Sequence, residues 1–112
     1  MSKRNDSFLI GDILDSASKI LAYTEGLSFE QFLSDERTKD AVIRNFEIIG
    51  EAAGRLSEDF KTSHRSIDWK RIKGFRNRIV HHYFGVDYSI VWQIKEGFLP
   101  QLIADLNAIG RV

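Results

Sequence analysis

Ala41-Val42-Ile43-Arg44-Asn45-Phe46-Glu47-Ile48-Ile49-Gly50-Glu51-Ala52-Ala53-Gly54-Arg55-Leu56 reads as one long helix. Ala41, Val42, Phe46, Ile49, Ala52, Ala53 and Leu56 recur at the three- and four-residue intervals that put apolar side chains on one face. Ser34 or Asp35 stands where a cap is needed, so the helix is expected to run from there to about Leu56. Gly50 and Gly54 are one helical repeat apart, and with Ala53 they form a surface of small residues. On a soluble helix such a surface predicts close approach by a second helix, since the distance between helix axes is set by the side chains at the contact.

The same periodicity extends in both directions. Upstream, residues from Asp6 to Tyr23 carry Phe8, Ile10, Ile13, Leu14, Ala17, Ile20 and Leu21 on one broad stripe, with Asp6 as expected N-cap and Gly26 as terminator. Ser28-Phe29-Glu30-Gln31 has capping-box spacing and opens a short turn through Leu33. Downstream, Ser57 to Ile67 reads as a polar connection. Asp68 caps a helix with Trp69, Ile72, Phe75, Ile79 and Val80 on one side, and Gly85 breaks it. Asp87 caps a last helix with Val91, Ile94, Phe98, Leu102, Ile103 and Leu106. Pro100 sits inside that helix and predicts a kink near residues 95–97. Strand signals are nearly absent. The expected fold is all-α: one domain over residues 1–112, an antiparallel bundle of four main helices plus a short helical turn.

Composition narrows the function classes. The 112 residues are 43% hydrophobic and 29% charged, typical of a globular domain. Cysteine is absent, which removes disulfides, thiolate zinc sites and thiol nucleophiles and fits a reducing cytoplasm. No apolar run reaches the roughly 20 residues that span a bilayer, and Met1 to Asp6 lacks the apolar stretch of a signal peptide, so no membrane association is expected. Net charge is zero, yet Lys61, Arg65, Lys70, Arg71, Lys73, Arg76 and Arg78 face only Asp68 between Lys61 and Phe84. That strip is either a solvated helix face or the footprint of an anionic partner.

Within the strip lies Arg76-Asn77-Arg78-Ile79-Val80-His81-His82-Tyr83. A guanidinium is a planar phosphate fork, and an imidazole gives and takes protons near neutral pH. Phosphodiester cleavage without metal needs both. On a continuous helix at about 100° per residue, Arg76 falls inside the apolar arc and His81 roughly 140° away. A buried arginine needs an anionic partner, with Glu47 and Glu51 as candidates on the long helix. Convergence of Arg76 with His81 requires a helix end near His81, or two copies of the motif meeting across a dimer axis, or both. There is no His-Glu-X-X-His, adjacent His81 and His82 point apart on a helix, and no glycine-rich phosphate loop is present. No metal or cofactor is expected.

Arg76, His81 five residues on, and Tyr83 two beyond resemble the arginine-X4-histidine-X-tyrosine signature of the HepT-like ribonuclease toxins in the HEPN superfamily. Asn77 matches the polar residue that often follows the arginine. Residues 46–53, Ile67-Asp68-Trp69 and Phe84-Gly85-Val86-Asp87 extend the similarity to nearly the whole chain. The resemblance implies a small all-α homodimer that cleaves RNA, with tRNA the expected target, and acts as the toxin of a type VII-like toxin–antitoxin pair. It implies a minimal nucleotidyltransferase as antitoxin, which in some members attaches AMP to the motif tyrosine, here Tyr83. Arg76 and His81 would be catalytic, Asn77 and Tyr83 supporting, and Lys70, Lys73, Arg78 and His82 RNA-binding. The alternative is a non-catalytic helical dimer that binds and regulates a nucleotidyltransferase. His82 can equally be a solvated neighbour, Tyr83 a core tyrosine, Trp69 and Trp92 packing residues, and His64 an inert loop residue.

Overall fold

Apolar periodicity becomes helix almost everywhere. The computed structural model describes residues 3–81 and 85–109, and in them the chain forms α1 (Lys3–Thr24), α2 (Phe29–Leu33), α3 (Glu36–Arg55), α4 (Glu58–Ser63), α5 (Trp69–Lys73), α6 (Phe75–Ile79), α7 (Tyr88–Gly97) and α8 (Leu99–Ile109). Between α6 and α7 lie two short strands, β1 (Val80–His81) and β2 (Gly85–Val86). The fold is all-α, as the periodicity predicts. None of the described helices is long and apolar enough to cross a membrane.

α1 and α3 make the most extensive contact; α5 and α6 lie against α3, α8 against α1, and α7 against α6 and α8. Ile13, Ala17, Ile20, Val42, Ile49, Ile72, Phe75, Leu99 and Leu106 are completely buried in the shared core. Fully burying one side chain of the size of leucine or isoleucine stabilises by about 1.5–3 kcal/mol, which outweighs the weak propensity of five-residue helices such as α5 and α6. Phe32 of α2 meets Trp92 of α7 at 5.1 Å and Tyr88 at 6.0 Å between ring centroids, so α2 is tied to α7 through aromatic packing.

The caps follow the sequence in most places. The Ser28 hydroxyl accepts from the Gln31 amide at 3.1 Å while the Gln31 side chain accepts from the Ser28 amide at 2.9 Å, completing the capping box. Asp35 caps α3 through the Thr38 amide, and its carboxyl is held below the usual carboxylate range by the Thr38 hydroxyl and then that amide. A lowered folded pKa means this cap supports α3 above the ordinary carboxylate range and is lost as pH falls through the lowered value.

Four expectations need correction. Asp6 does not cap α1, which starts at Lys3. Its carboxylate is buried and accepts from the Ser57 amide at 2.9 Å and the Ser57 hydroxyl at 2.7 Å. The stretch from Ser57 to Ile67 is not all connection. The Ser57 hydroxyl caps α4 through the Phe60 amide, and Glu58 and Asp59 complement the positive end of that helix. The kink expected from Pro100 is a break at Phe98, where φ is −122° and ψ −43°. Proline lacks an amide hydrogen and its ring crowds the carbonyl four residues back, so a new helix starts with Pro100 in its first turn, where no donor is missed. The helix expected from Trp69 to Val80 is α5 and α6 divided at Gly74, and it gives way to β1.

The Asp6–Ser57 pair joins positions 51 apart in the chain and orients α4 against α1. Asp6→Ala leaves the partly buried Ser57 amide and hydroxyl without their carboxylate and is expected to cost about 1–3 kcal/mol. Urea unfolding checks it: a midpoint equal to wild type would show that the pair contributes nothing.

Candidate nucleic-acid interface

α5 packs on α3 at Gly50. A Cβ built there would sit 3.6 Å from the Lys73 carbonyl oxygen and 3.7 Å from that of Ile72, so anything longer than a methyl meets backbone. The close helix approach expected from the small-residue surface is present. It sets α6, which carries Arg76 and Asn77, beside the polar edge of α3.

Arg76 is exposed, not buried. An apolar arc enclosing it requires one continuous helix through Trp69, Val80 and Tyr83. Trp69 belongs to the turn before the Gly74 break, Val80 is extended, and Tyr83 lies outside the described residues. Phe75 and Ile79 alone define the buried side of α6, and Arg76, Asn77 and Arg78 all face solvent. The alternative of an ion pair with Glu47 or Glu51 is not realised among the described residues. Ion pairs among the described residues are Lys39–Glu36, Arg44–Glu47, Lys61–Glu58 and Lys95–Glu96. Arg65, Lys70, Lys73, Arg76 and Arg78 thus have no carboxylate within 4.0 Å among the described residues. The strip is basic in fact as well as in composition.

Two separate concavities divide it. A groove of about 500 Å³ between α3 and the α5–α6 turn is lined by Arg44, Glu47, Glu51, Arg55, Lys73, Arg76 and Asn77, with Gly50 and Gly54 on its α3 side. A shallower basin of about 620 Å³ gathers Lys61, Arg65 and Lys70 around Asp68. Of the side chains expected to bind RNA, Lys73 therefore joins Arg76 and Asn77, Lys70 joins the basin, and Arg78 lines neither. His82 and Tyr83 lie outside the described residues. Arg44 and Arg55 were invisible to the motif reading because they come from another helix. The glycine pair on α3 was the available signal.

His81 is placed by its backbone. β1 pairs antiparallel with β2, Val80 opposite Val86 and His81 opposite Gly85. Gly85 has φ +74°, a conformation that side chains with a Cβ rarely adopt. The Asp87 amide donates to the Ile79 carbonyl at 2.7 Å and closes the hairpin base, while the Asp87 carboxylate caps α7 through the Ser89 and Ile90 amides. A pairing ladder and a helix cap thus hold the backbone that presents His81. The helix end is the first of the two devices expected to relieve the angle between Arg76 and His81.

Other candidates resolve into packing. Trp69 is buried, and its indole nitrogen donates to the His64 carbonyl at 3.0 Å. Trp92 is enclosed by Phe29 and Phe32, with the Lys95 ammonium 3.6 Å from its ring centre. His64 stacks on Phe60 at 4.4 Å and donates through Nδ1 to the Phe60 carbonyl at 3.0 Å.

Comparison with known proteins gives the family. Residues 13–109 match the family model described as Ribonuclease HepT-like. The chain is 37% identical over 109 residues to a Methanocaldococcus jannaschii protein named "Putative RNase", covering 97% of this chain and 90% of that protein. It is 38% identical over 100 residues to a Thermococcus cleftensis protein named "Probable ribonuclease HepT", covering 89% and 91%. A Caldanaerobacter subterraneus protein named "Putative RNase" is 38% identical over 97 residues, covering 87% of each chain. No solved structure matches. The chain belongs to the HepT-like ribonuclease family.

Proposed function

We propose that this protein is a metal-independent endoribonuclease, a cytoplasmic homodimeric toxin that cuts RNA, with tRNA as its target, and is silenced by a minimal nucleotidyltransferase antitoxin. The observation that carries the reading is Arg76. It is solvent-facing, has no carboxylate within 4.0 Å among the described residues, and stands beside Asn77 on a groove wall, five residues before a histidine held in a hairpin. A structural arginine would be paired; this one is available to an anion.

His81 acts as the proton carrier. It removes the proton from the ribose 2′-hydroxyl, whose oxygen attacks the adjacent phosphorus, or returns a proton to the departing 5′-oxygen. The requirement for a 2′-hydroxyl is what restricts the substrate to RNA. Arg76 braces the phosphate and stabilises the charge that builds on its oxygens, and Asn77 orients phosphate or imidazole by hydrogen bonds. Two subunits supply two imidazoles, enough for separate acid and base. AMP attached to the Tyr83 hydroxyl adds bulk and negative charge where substrate phosphate must enter.

The test is purified, unmodified protein incubated with total tRNA in excess chelator. Discrete cut products are expected, and intact tRNA at stoichiometric enzyme would sink the proposal. Co-expression with the antitoxin should add the mass of adenylate to the Tyr83 peptide. A neutralised complex with that peptide unmodified would replace the covalent mechanism with steric blocking.

A further inference from the structure

We infer that the groove between α3 and the α5–α6 turn is the track of the RNA strand flanking the cut, and that Lys73 and Arg55 hold the phosphate next to the reacting one. The inference rests on RNA being the substrate. It adds a binding subsite built from a helix outside the sequence motif.

Three observations support it. The first is the seating of Lys73. Its Cγ, Cδ and Cε lie 3.7, 3.7 and 3.5 Å from where a Cβ of Gly54 would stand. The aliphatic stem passes over the face of α3 at Gly54, and Lys73 lines the groove there. The second is charge. Arg55 ends α3, where the helix dipole favours a cation, and neither Arg55 nor Lys73 has an ion-pair partner among the described residues. Of the two carboxylates in the groove, Glu47 is engaged by Arg44 at 3.7 Å. Glu51 is left against Arg55, Lys73 and Arg76, so the groove keeps a positive excess. The third is continuity. Arg76 and Asn77 line the same groove of about 500 Å³, so a strand whose scissile phosphate meets Arg76 carries its neighbour onto Lys73 and Arg55. A groove lined by cations that follow one another from α6 to the end of α3 suits a single strand held by its backbone.

The experiment compares wild type with Arg55→Ser/Lys73→Ser on a short unstructured single-stranded RNA and on a dinucleotide that spans only the cleaved bond. On the longer RNA the double variant should raise KM about tenfold or more with kcat little changed, as loss of uniform binding requires. On the dinucleotide both constants should match wild type. In a His81→Ala background, the slope of log binding constant against log salt should fall by about 0.7 for the one phosphate no longer neutralised. Gly54→Leu, which keeps every charge but displaces the Lys73 stem, should raise KM on the longer RNA alone. Lys19→Ser, an exposed charge loss on α1, should change nothing. Equal losses on both substrates, or an unchanged KM and salt slope, would overturn the subsite while leaving the nuclease intact. So would a double variant that binds RNA normally but loses the antitoxin. Wild type inert toward RNA would instead remove the nuclease reading and the subsite with it.

Discussion

His81→Ala protein is expected to leave tRNA uncut under chelator conditions in which wild type cleaves it. General acid–base catalysis by a positioned side chain contributes about 10²–10⁴-fold, and the substitution removes that contribution. Arg76→Ala should lower kcat by about 10²–10³-fold, the size seen when one donor to a developing oxyanion is removed. Arg76→Lys should recover only part, since a point charge cannot make the bidentate contact. Neither Arg76 variant should alter the unfolding midpoint appreciably, because that side chain is exposed and has no ion pair among the described residues to lose. This combination, a collapse in rate without a change in stability, separates a catalytic arginine from a structural one. A non-catalytic scaffold for a nucleotidyltransferase predicts instead that wild type and both variants are equally inert. A plain RNA-binding module predicts that His81→Ala still binds and that no cut ends appear even with wild type. Full cleavage by His81→Ala would end the proposed chemistry.

How much of this was legible before the structure depends on what each residue's state required. Helices α1 and α3 were readable because their burial is one-sided and long, so the repeat of 3.6 residues is sampled several times. Ser28, Asp35, Asp68 and Asp87 were readable as caps because capping is local chemistry between a side chain and an amide two or three residues on. Asp6 shows where that logic stops. It has the right identity and position for a cap, yet its partner is Ser57, and nothing near Asp6 in the chain encodes that. The motif helix shows a second limit. Extrapolating one helical phase from Trp69 to Tyr83 buried Arg76 on paper, whereas Gly74 resets the phase and the chain becomes extended at Val80. Two-residue strands carry too few positions for a periodic signal, so the hairpin holding His81 was unreadable. Arg76 and His81 could nevertheless be named as candidates, because residue types and their order are in the sequence. The groove could not, because Arg44 and Arg55 reach Arg76 only through the packing of α5 on Gly50.

That packing gives the chain's site a neighbour whose loss should look entirely different. Phe75 precedes Arg76 and is completely buried; it meets Phe46 of α3 edge-on at 5.7 Å and Phe98 at the α7–α8 break at 5.4 Å. One ring therefore connects the long helix, the motif helix and the C-terminal pair. Phe75→Ala removes the transfer free energy of the ring, two edge-to-face contacts and the support around a cavity that rigid helices on three sides cannot close. The expected cost is about 3–5 kcal/mol by denaturant unfolding, a large fraction of the 5–15 kcal/mol that typically separates folded from unfolded domains. Activity should follow folding: with enough protein still native at low temperature, cleavage per folded molecule should fall far less than in Arg76→Ala. Phe75→Leu, which refills most of the volume, should recover more than half of the lost stability. Adjacent positions thus differ in role on α6, one buried and holding the helix in place, the next exposed on the groove wall. A Phe75→Ala protein that melts like wild type would mean that α6 is not anchored through this ring, and the placement of Arg76 over the groove would need another cause.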